Sequence, residues 1–387
     1  MANLRWIATT VCGACGAALL LLARAMNYAW FDRHVLLPAY YPWAPGWMPR
    51  DVCIAVAALG VALVAAAWPL GRALARATLG GTARVALAVV LALCASELIL
   101  RRGKGPAAPW RAGKVEFRAG RLDPRYGWVM LPSRATVIGT PEPRVLYAID
   151  DWGDRAAAPQ GAPDPEAPSL VVAGESIAAG HGIAYEDTFG VAMGKDLGLQ
   201  VVNVGCGGYG SDQAMLRLAD ALDRLRRPAA AVITFVPIML SRNVQDYRPR
   251  LSLRGGALQL VPPPDGFFAR LRLRDLLVNE LPYLTDGALR ESVRLTAAIL
   301  RETDRAVRSH RAEPIFAVFS IGPRRTLDEH PEGALIRQLF VDQRLPYELI
   351  DVERRDLVDD GHPDPAAHRR AAAVLEAALR PRLSHAQ

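Results

Sequence analysis

The sequence predicts an α/β domain with a parallel sheet, preceded by a helical membrane anchor, and three observations carry that prediction. Apolar windows crowd the first hundred residues, strand-like and helix-like segments alternate from residue 169 onward, and Pro- and Gly-rich stretches separate the two regions. Hydrophobic residues make up 51% of the 387, high for a wholly soluble chain, and the excess is local to the N-terminal region.

The windows run from Ile7 to Met26, Val52 to Gly71 and Thr82 to Leu100. Each is about 20 residues long with almost no charge, the length a helix needs to cross a hydrocarbon core. The expectation is three transmembrane helices at 7–26, 52–71 and 82–100, inside an anchor of residues 1–102. The first window follows Arg5 as a signal peptide would, but it outruns the usual apolar stretch and further spans follow, which favours a retained anchor. Arg72, Arg76 and Arg84, with no acid among them, put the second loop in the cytoplasm, and the first loop, rich in Tyr and Trp, suits an outer interface. Three spans from an inside N-terminus place the rest of the chain outside, on the side of the membrane away from the cytoplasm, with the basic run Arg101 to Lys104 a mild counter-signal. Glu97, near the outer end of the third window, reads as interfacial and within reach of water. Cys12 and Cys15 form a CxxC pair inside an apolar span with no second pair nearby, a packing feature rather than a metal or redox site.

The net charge of +7 raises the question of nucleic acid. Through Lys114 there are 12 Lys and Arg against 3 Asp and Glu, and in the remainder 34 against 36. The basicity belongs to the anchor, so no nucleic-acid partner is expected. No phosphate loop, dinucleotide fingerprint or metal-ligand cluster appears either, so no cofactor and no metal are expected.

Residues 103–168 read as linker and lead-in, with short strands expected in DPRYGWVMLP (123–132) and RVLYAIDDWGDR (144–155) packing beside the next domain. In residues 169–387 the strand candidates are Leu170 to Ala173, Gln200 to Val204, Ala230 to Val236, Pro314 to Phe319 and Tyr347 to Val352. Helical periodicity marks Asp212 to Leu225, Gly287 to Arg311, Glu332 to Gln343 and Pro365 to Leu379. That alternation implies a parallel sheet with helices on both faces, whose ligands bind at the carboxyl ends of the strands.

One such end is LVVAGESIAAG, Leu170 to Gly180, which presents Ser176 after a buried valine-rich run. A serine hydroxyl is a poor nucleophile until a base takes its proton. Asp359, Asp360, Gly361, His362 and Pro363 supply a histidine with an acid three residues before it, a context that His34, His181, His310, His330, His368 and His385 lack. The candidate set is Ser176 as nucleophile, His362 as base and Asp359 to orient the imidazole, with the adjacent Asp360 an alternative acid. A serine that merely caps the following helix is the competing reading of Ser176.

These blocks, together with VVNVGCGGYGSDQ from Val201, in which Asn203 and Gly208 are five apart, resemble the SGNH or GDSL hydrolases over roughly residues 169–380. The lead-in, with Gly127, Trp128, Gly153 and Arg155, is similar to one in membrane-anchored bacterial members, though Asp150 stands where they have Asn. The resemblance implies a three-layer α/β/α flavodoxin-like domain and an oxyanion hole made by the backbone N–H of Ser176, the backbone N–H of Gly208 and an asparagine side chain from a third block. Here the chain departs from the family: after ITFV it reads Pro237, Ile238, Met239, Leu240, Ser241, Arg242, Asn243, with Ile238 in the asparagine's place. Asn243 is the candidate substitute. Glu175 replaces the family's Asp, and its carboxylate is not expected to react. The insertion Ser241 to Thr285 is expected either to cover the cleft or to be an inert excursion.

The leading expectation is thus a membrane-anchored serine esterase acting on acyl, including O-acetyl, esters of an envelope or extracellular saccharide or lipid. The alternatives are an O-acyltransferase and a catalytically impaired relative that binds a glycan or envelope partner. An α/β-hydrolase fits less well, because its Gly-x-Ser-x-Gly elbow would need glycine at Ala178.

Overall fold

The structure, a computed structural model, describes residues 2–31, 34, 48–75, 79–104, 119–138, 145–276, 278, 285–321, 333–358 and 361–385. It divides into two compact units, one made of Met1–Leu37, Tyr41–Ala107 and Phe267–Tyr283, the other of Pro38–Tyr40, Ala108–Gly266 and Leu284–Gln387.

Among the described residues the first unit holds three long helices, α1 (Ala2–Ala25), α2 (Met48–Ala75) and α3 (Leu79–Lys104), so each expected window is helical. α1 lies along α2 at a crossing of glycines: a Cβ on Gly16 would sit 2.7 Å from the Gly60 carbonyl oxygen, and one on Gly60 2.9 Å from that of Gly16. Small residues let the two backbones meet where any side chain would hold them apart. The expected three-span anchor is reduced by the structure. Among the described residues only Arg50–Ala73 is long and apolar enough to cross a membrane, and Thr9–Ala25 is a shorter apolar helix.

Glu97 differs from expectation too. It is buried rather than open to water, and its carboxylate accepts the backbone N–H groups of Arg272 at 2.8 Å and Leu273 at 2.9 Å while pairing with Arg101 at 2.7 Å. The short helix Arg272–Asp275, late in the insertion, therefore packs with α3 of its own unit.

The second unit is a mixed α/β domain around a parallel-rich sheet. Its strands are β3 (Arg134–Ile138), β4 (Val145–Ile149), β5 (Arg155–Ala156), β6 (Ser169–Ala173), β7 (Gln200–Asn203), β8 (Pro228–Phe235), β11 (Glu313–Ile321) and β12 (Tyr347–Val352), in the order β12-β11-β8-β6-β7-β5-β4-β3. Two hairpins stand apart, β1 (Gly120–Asp123) with β2 (Gly127–Met130), and β9 (Arg250–Arg254) with β10 (Ala257–Val261). The five strands from β7 to β12 across the sheet are parallel, and each matches an expected strand. In β6, Leu170 to Ala173 are fully buried, as a strand covered on both faces requires.

Taken in chain order, the parallel strands run 2-1-3-4-5 across the sheet, so the chain first steps one way from β6 and then the other. Right-handed crossovers send the intervening helices to opposite faces at that reversal. α5 (Phe189–Leu197) and the final helix α9 (Pro365–His385) pack together, and α6 (Ser211–Arg224) packs with α8 (Asp286–Ser309). The sequence explains α6 directly: Ala214, Leu218, Ala221 and Leu222 recur at helical spacing and are all buried.

Three elements differ from expectation. The lead-in strands β3, β4 and β5 do more than pack beside the domain: they extend its sheet antiparallel, with Arg155 of β5 opposite Asn203 of β7. The helix expected over Glu332 to Gln343 is one α turn, Gly333–Ile336, that widens into a π turn over Arg337–Val341. α5 was not foreseen, because its nine residues carry two glycines; Thr188 starts it, its hydroxyl accepting the Val191 N–H.

Candidate active site

β6 ends at Ala173, and Gly174 turns the chain out of the sheet at φ 148°. A Cβ there would lie 1.8 Å from Thr234 Oγ1 on β8, so only glycine fits under the turn. Glu175 caps the four-residue helix α4 (Ser176–Ala179), its Oε1 accepting the Ile177 N–H at 3.0 Å. Ser176 thus stands at the carboxyl edge of the sheet, 8% exposed.

Among the described residues, two groups meet its hydroxyl. Oγ lies 2.8 Å from His362 Nε2, and it donates to Glu175 Oε2 on the other side. One proton faces two acceptors: it serves the carboxylate when Nε2 carries its own proton, and the imidazole when Nε2 is bare. Glu175 is therefore in direct contact with the serine hydroxyl, a part that reading the sequence did not give it.

A tight loop after β12 delivers His362. The Val358 N–H donates to the His362 carbonyl and the Gly361 N–H to that of Val358, both at 2.8 Å, and Leu357 bridges Pro363. The chain then enters α9, where Asp364 Oδ1 accepts the Ala367 N–H at 2.7 Å and Pro365 fills the first helical position. Asp359 and Asp360 lie outside the described residues. Two other histidines come close. The ring of His181 is 4.6 Å, centroid to centroid, from that of His362. His368 is buried against Phe189 and accepts that residue's N–H on Nδ1 at 3.2 Å; burial, and then the proximity of His362, push its pKa down to about 3. It is a neutral packing group at physiological pH rather than a second base.

The second block is held in place by the lead-in. Asn203 accepts the Gly205 N–H at 3.0 Å and donates to the Ala178 carbonyl at 2.7 Å, which ties the loop to the helix that begins at the serine. Buried Trp128 donates its indole N–H to the Gly207 carbonyl at 3.2 Å, and Tyr209 donates its hydroxyl to the Trp128 carbonyl at 2.6 Å. Desolvation by complete burial raises the Tyr209 pKa well above the ordinary phenol value, so it remains a donor. Gln213 completes the brace, accepting the Gly210 N–H at 3.0 Å and donating to the Tyr126 carbonyl at 2.6 Å. Gly208 sits in the middle of this fixed segment. The Gly-Trp pair was the one sequence signal for the brace, and it had no readable task until the fold brought it under residues 207–209.

The third block supplies no free amide. The chain leaves β8 and turns through Pro237 and Ile238 into α7 (Met239–Val244), and the Ile238 side chain has nothing to donate. Asn243 is fully buried: its Nδ2 donates to Thr296 Oγ1 on α8 at 2.8 Å and its Oδ1 accepts the Asp212 N–H at 3.4 Å. Its amide is committed to helix packing, which takes Asn243 out of the expected oxyanion set. Beside it Asp212 and Arg248 form a buried ion pair at 2.8 Å, and Arg242 Nη1 donates to the Tyr209 carbonyl at 3.1 Å.

No family model and no curated protein matches the chain. Among solved structures it is similar to an acetyl xylan esterase from the rumen bacterium Butyrivibrio proteoclasticus, at 13% identity and a TM-score of 0.35 over 58% of this chain; the match spans 66% of that esterase, just under two thirds. It is also similar to a putative lipolytic protein of the G-D-S-L family from Desulfitobacterium hafniense, at 13% identity and a TM-score of 0.32, over 55% of this chain and 99% of that one. A third is AlinE4, an SGNH-hydrolase family esterase, at 15% identity and a TM-score of 0.29, over 58% and 98%. The neighbours are thus SGNH and GDSL esterases, the group that the sequence blocks resemble.

Proposed function

We propose that the chain is a membrane-anchored serine ester hydrolase of the SGNH type, acting on an acyl ester, O-acetyl included, of a saccharide or lipid at the cell envelope. The observation that carries the reading is the 2.8 Å approach of Ser176 Oγ to His362 Nε2 between residues 186 apart in sequence. In this mechanism Oγ attacks the ester carbonyl as its proton passes to Nε2, and Asp359 orients the imidazole and stabilises the imidazolium. The backbone N–H groups of Ser176 and Gly208 receive the tetrahedral oxyanion. Collapse expels the alcohol, which takes the proton back from Nε2. Water activated by the same base then frees the acid from the acyl-serine. If a second hydroxyl takes the place of water, the same steps make the protein an O-acyltransferase.

Membrane attachment is supported by the Arg50–Ala73 helix and by side chains such as Ile54, Leu59, Val61 and Trp68 on it, each more than half exposed. Such apolar exposure suits lipid rather than water. With the anchor holding the domain at the envelope, a substrate confined there is the natural choice.

A second reading, an impaired relative that binds an acylated glycan without cleaving it, is favoured by Ile238 alone. Labelling of the detergent-purified full chain with a fluorophosphonate probe separates the two. The expected result is labelling of the parent and none of Ser176→Ala or His362→Ala. A folded parent that takes no label would move the assignment to the binding protein.

A further inference from the structure

The segment that begins at Phe267 is unlike the rest of the insertion. Phe267 and Phe268 are adjacent, 71% and 76% exposed, and their rings meet edge to face at 5.4 Å, forming one apolar knob. Val278 adds a further side chain that is 53% exposed. Between them the sequence ARLRLRD alternates leucine with Arg270, Arg272 and Arg274, the mixture of apolar and basic residues found in segments that lie in a membrane interface.

The depth of this segment is fixed by Glu97. The carboxylate takes the first two N–H groups of the helix Arg272–Asp275, and Arg101, one turn further along α3, donates to the Arg270 carbonyl at 3.4 Å. Leu98 and Ile99, beside Glu97, are 61% and 69% exposed, and Leu91 and Leu93 further back on α3 are also largely exposed. Arg101, Arg102 and Lys104 follow. The segment is thus bonded to α3 where its exposed apolar side chains give way to the basic run Arg101 to Lys104. The start of a helix leaves its first backbone donors open, and Glu97 satisfies two of them.

We propose that Phe267–Val278 is a lipid-contacting strap, in which the phenylalanine pair enters the headgroup and upper acyl region of the bilayer that holds the Arg50–Ala73 helix. The occupant is a phospholipid surface, because the strap is continuous with the unit that carries the Arg50–Ala73 helix and has the exposed Arg270 beside its apolar knob, Arg272 being buried against Asp275. The proposal rests on the membrane reading above and makes the insertion a second point of contact with lipid.

The test uses the full chain in vesicles of phosphatidylcholine and phosphatidylglycerol, with phosphatidylcholines brominated at shallow or deep acyl positions as quenchers. Phe268→Trp adds a fluorophore at an exposed position, and Leu260→Trp adds one on the β10 hairpin of the other unit as a control. The added Phe268→Trp emission is expected to be blue-shifted and quenched more by shallow than by deep bromines, and the control emission to be neither. Quenching of the parent, which carries Trp68 on α2, reports the membrane reading separately. An added emission that stays red and unquenched while the parent is quenched overturns the strap and leaves the anchor standing. A blue but unquenched emission means that protein rather than lipid covers the pair, and overturns it as well. A parent that is not quenched overturns the anchor and the strap together.

Discussion

At Ile238 a hydrocarbon stands where an oxyanion donor is expected, and the candidate substitute, Asn243, is held by Thr296 and Asp212. Loss of one such donor typically costs about 2.7 to 4 kcal/mol, or roughly 100- to 1000-fold in turnover. The Ile238→Asn variant is accordingly expected to raise kcat for a small acetyl ester by roughly 10-fold or more, toward that range. An unchanged kcat in a variant that folds normally would mean that the hole is completed by another group. The sequence makes Ile238 visible because a residue type is missing from a known spacing. It leaves the commitment of Asn243 invisible, since that depends on Thr296, 53 residues away on a helix whose rotation only packing decides. Glu175 is an intermediate case. Its place beside the serine is plain in the motif, but whether its longer side chain reaches back to Oγ depends on the cap it makes for α4.

Among elements, the period of the hydrophobic pattern made the five parallel strands and helices α6, α8 and α9 legible. It could not show what the lead-in does, because β3, β4 and β5 are short strands whose partners are chosen by a sheet edge formed later in the chain. The same holds for β2, whose Trp128 braces residues 207–209. Trp128→Phe keeps most of the buried ring and removes the indole donor, leaving the Gly207 carbonyl without that partner. One hydrogen bond of this kind contributes about 1 kcal/mol to stability. We expect a loss of that order in thermal or denaturant unfolding, and, because Gly208 adjoins the released carbonyl, a fall in kcat of roughly 10-fold with little change in KM, the split expected when transition-state stabilisation alone suffers. Loss of stability with kcat intact would show that the brace serves the fold and not the oxyanion site.

For the molecule as a whole, composition and hydropathy indicated an apolar N-terminal region and an α/β remainder, and the local character of both signals is why they could be read. The path between the units was not readable in that way. The chain passes from the helical unit to the α/β unit near residue 107, returns at Phe267, and leaves again after Tyr283. A return of this kind rests on Glu97, whose carboxylate meets two backbone donors 175 and 176 residues away, and on Arg101, which reaches the Arg270 carbonyl, and no local pattern announces it. It also means that residues 267–283 are an integral part of the helical unit although they lie deep in the second half of the sequence. Cleavage at a protease site placed between Lys104 and Ala119 should therefore leave the two pieces together in detergent, co-eluting on size exclusion, while Glu97→Ala should let them part. A C-terminal piece that elutes alone despite an intact Glu97 would contradict this. If the two pieces stay together, the protein can be made as two separately translated polypeptides, the second supplying the segment that completes the helical unit of the first.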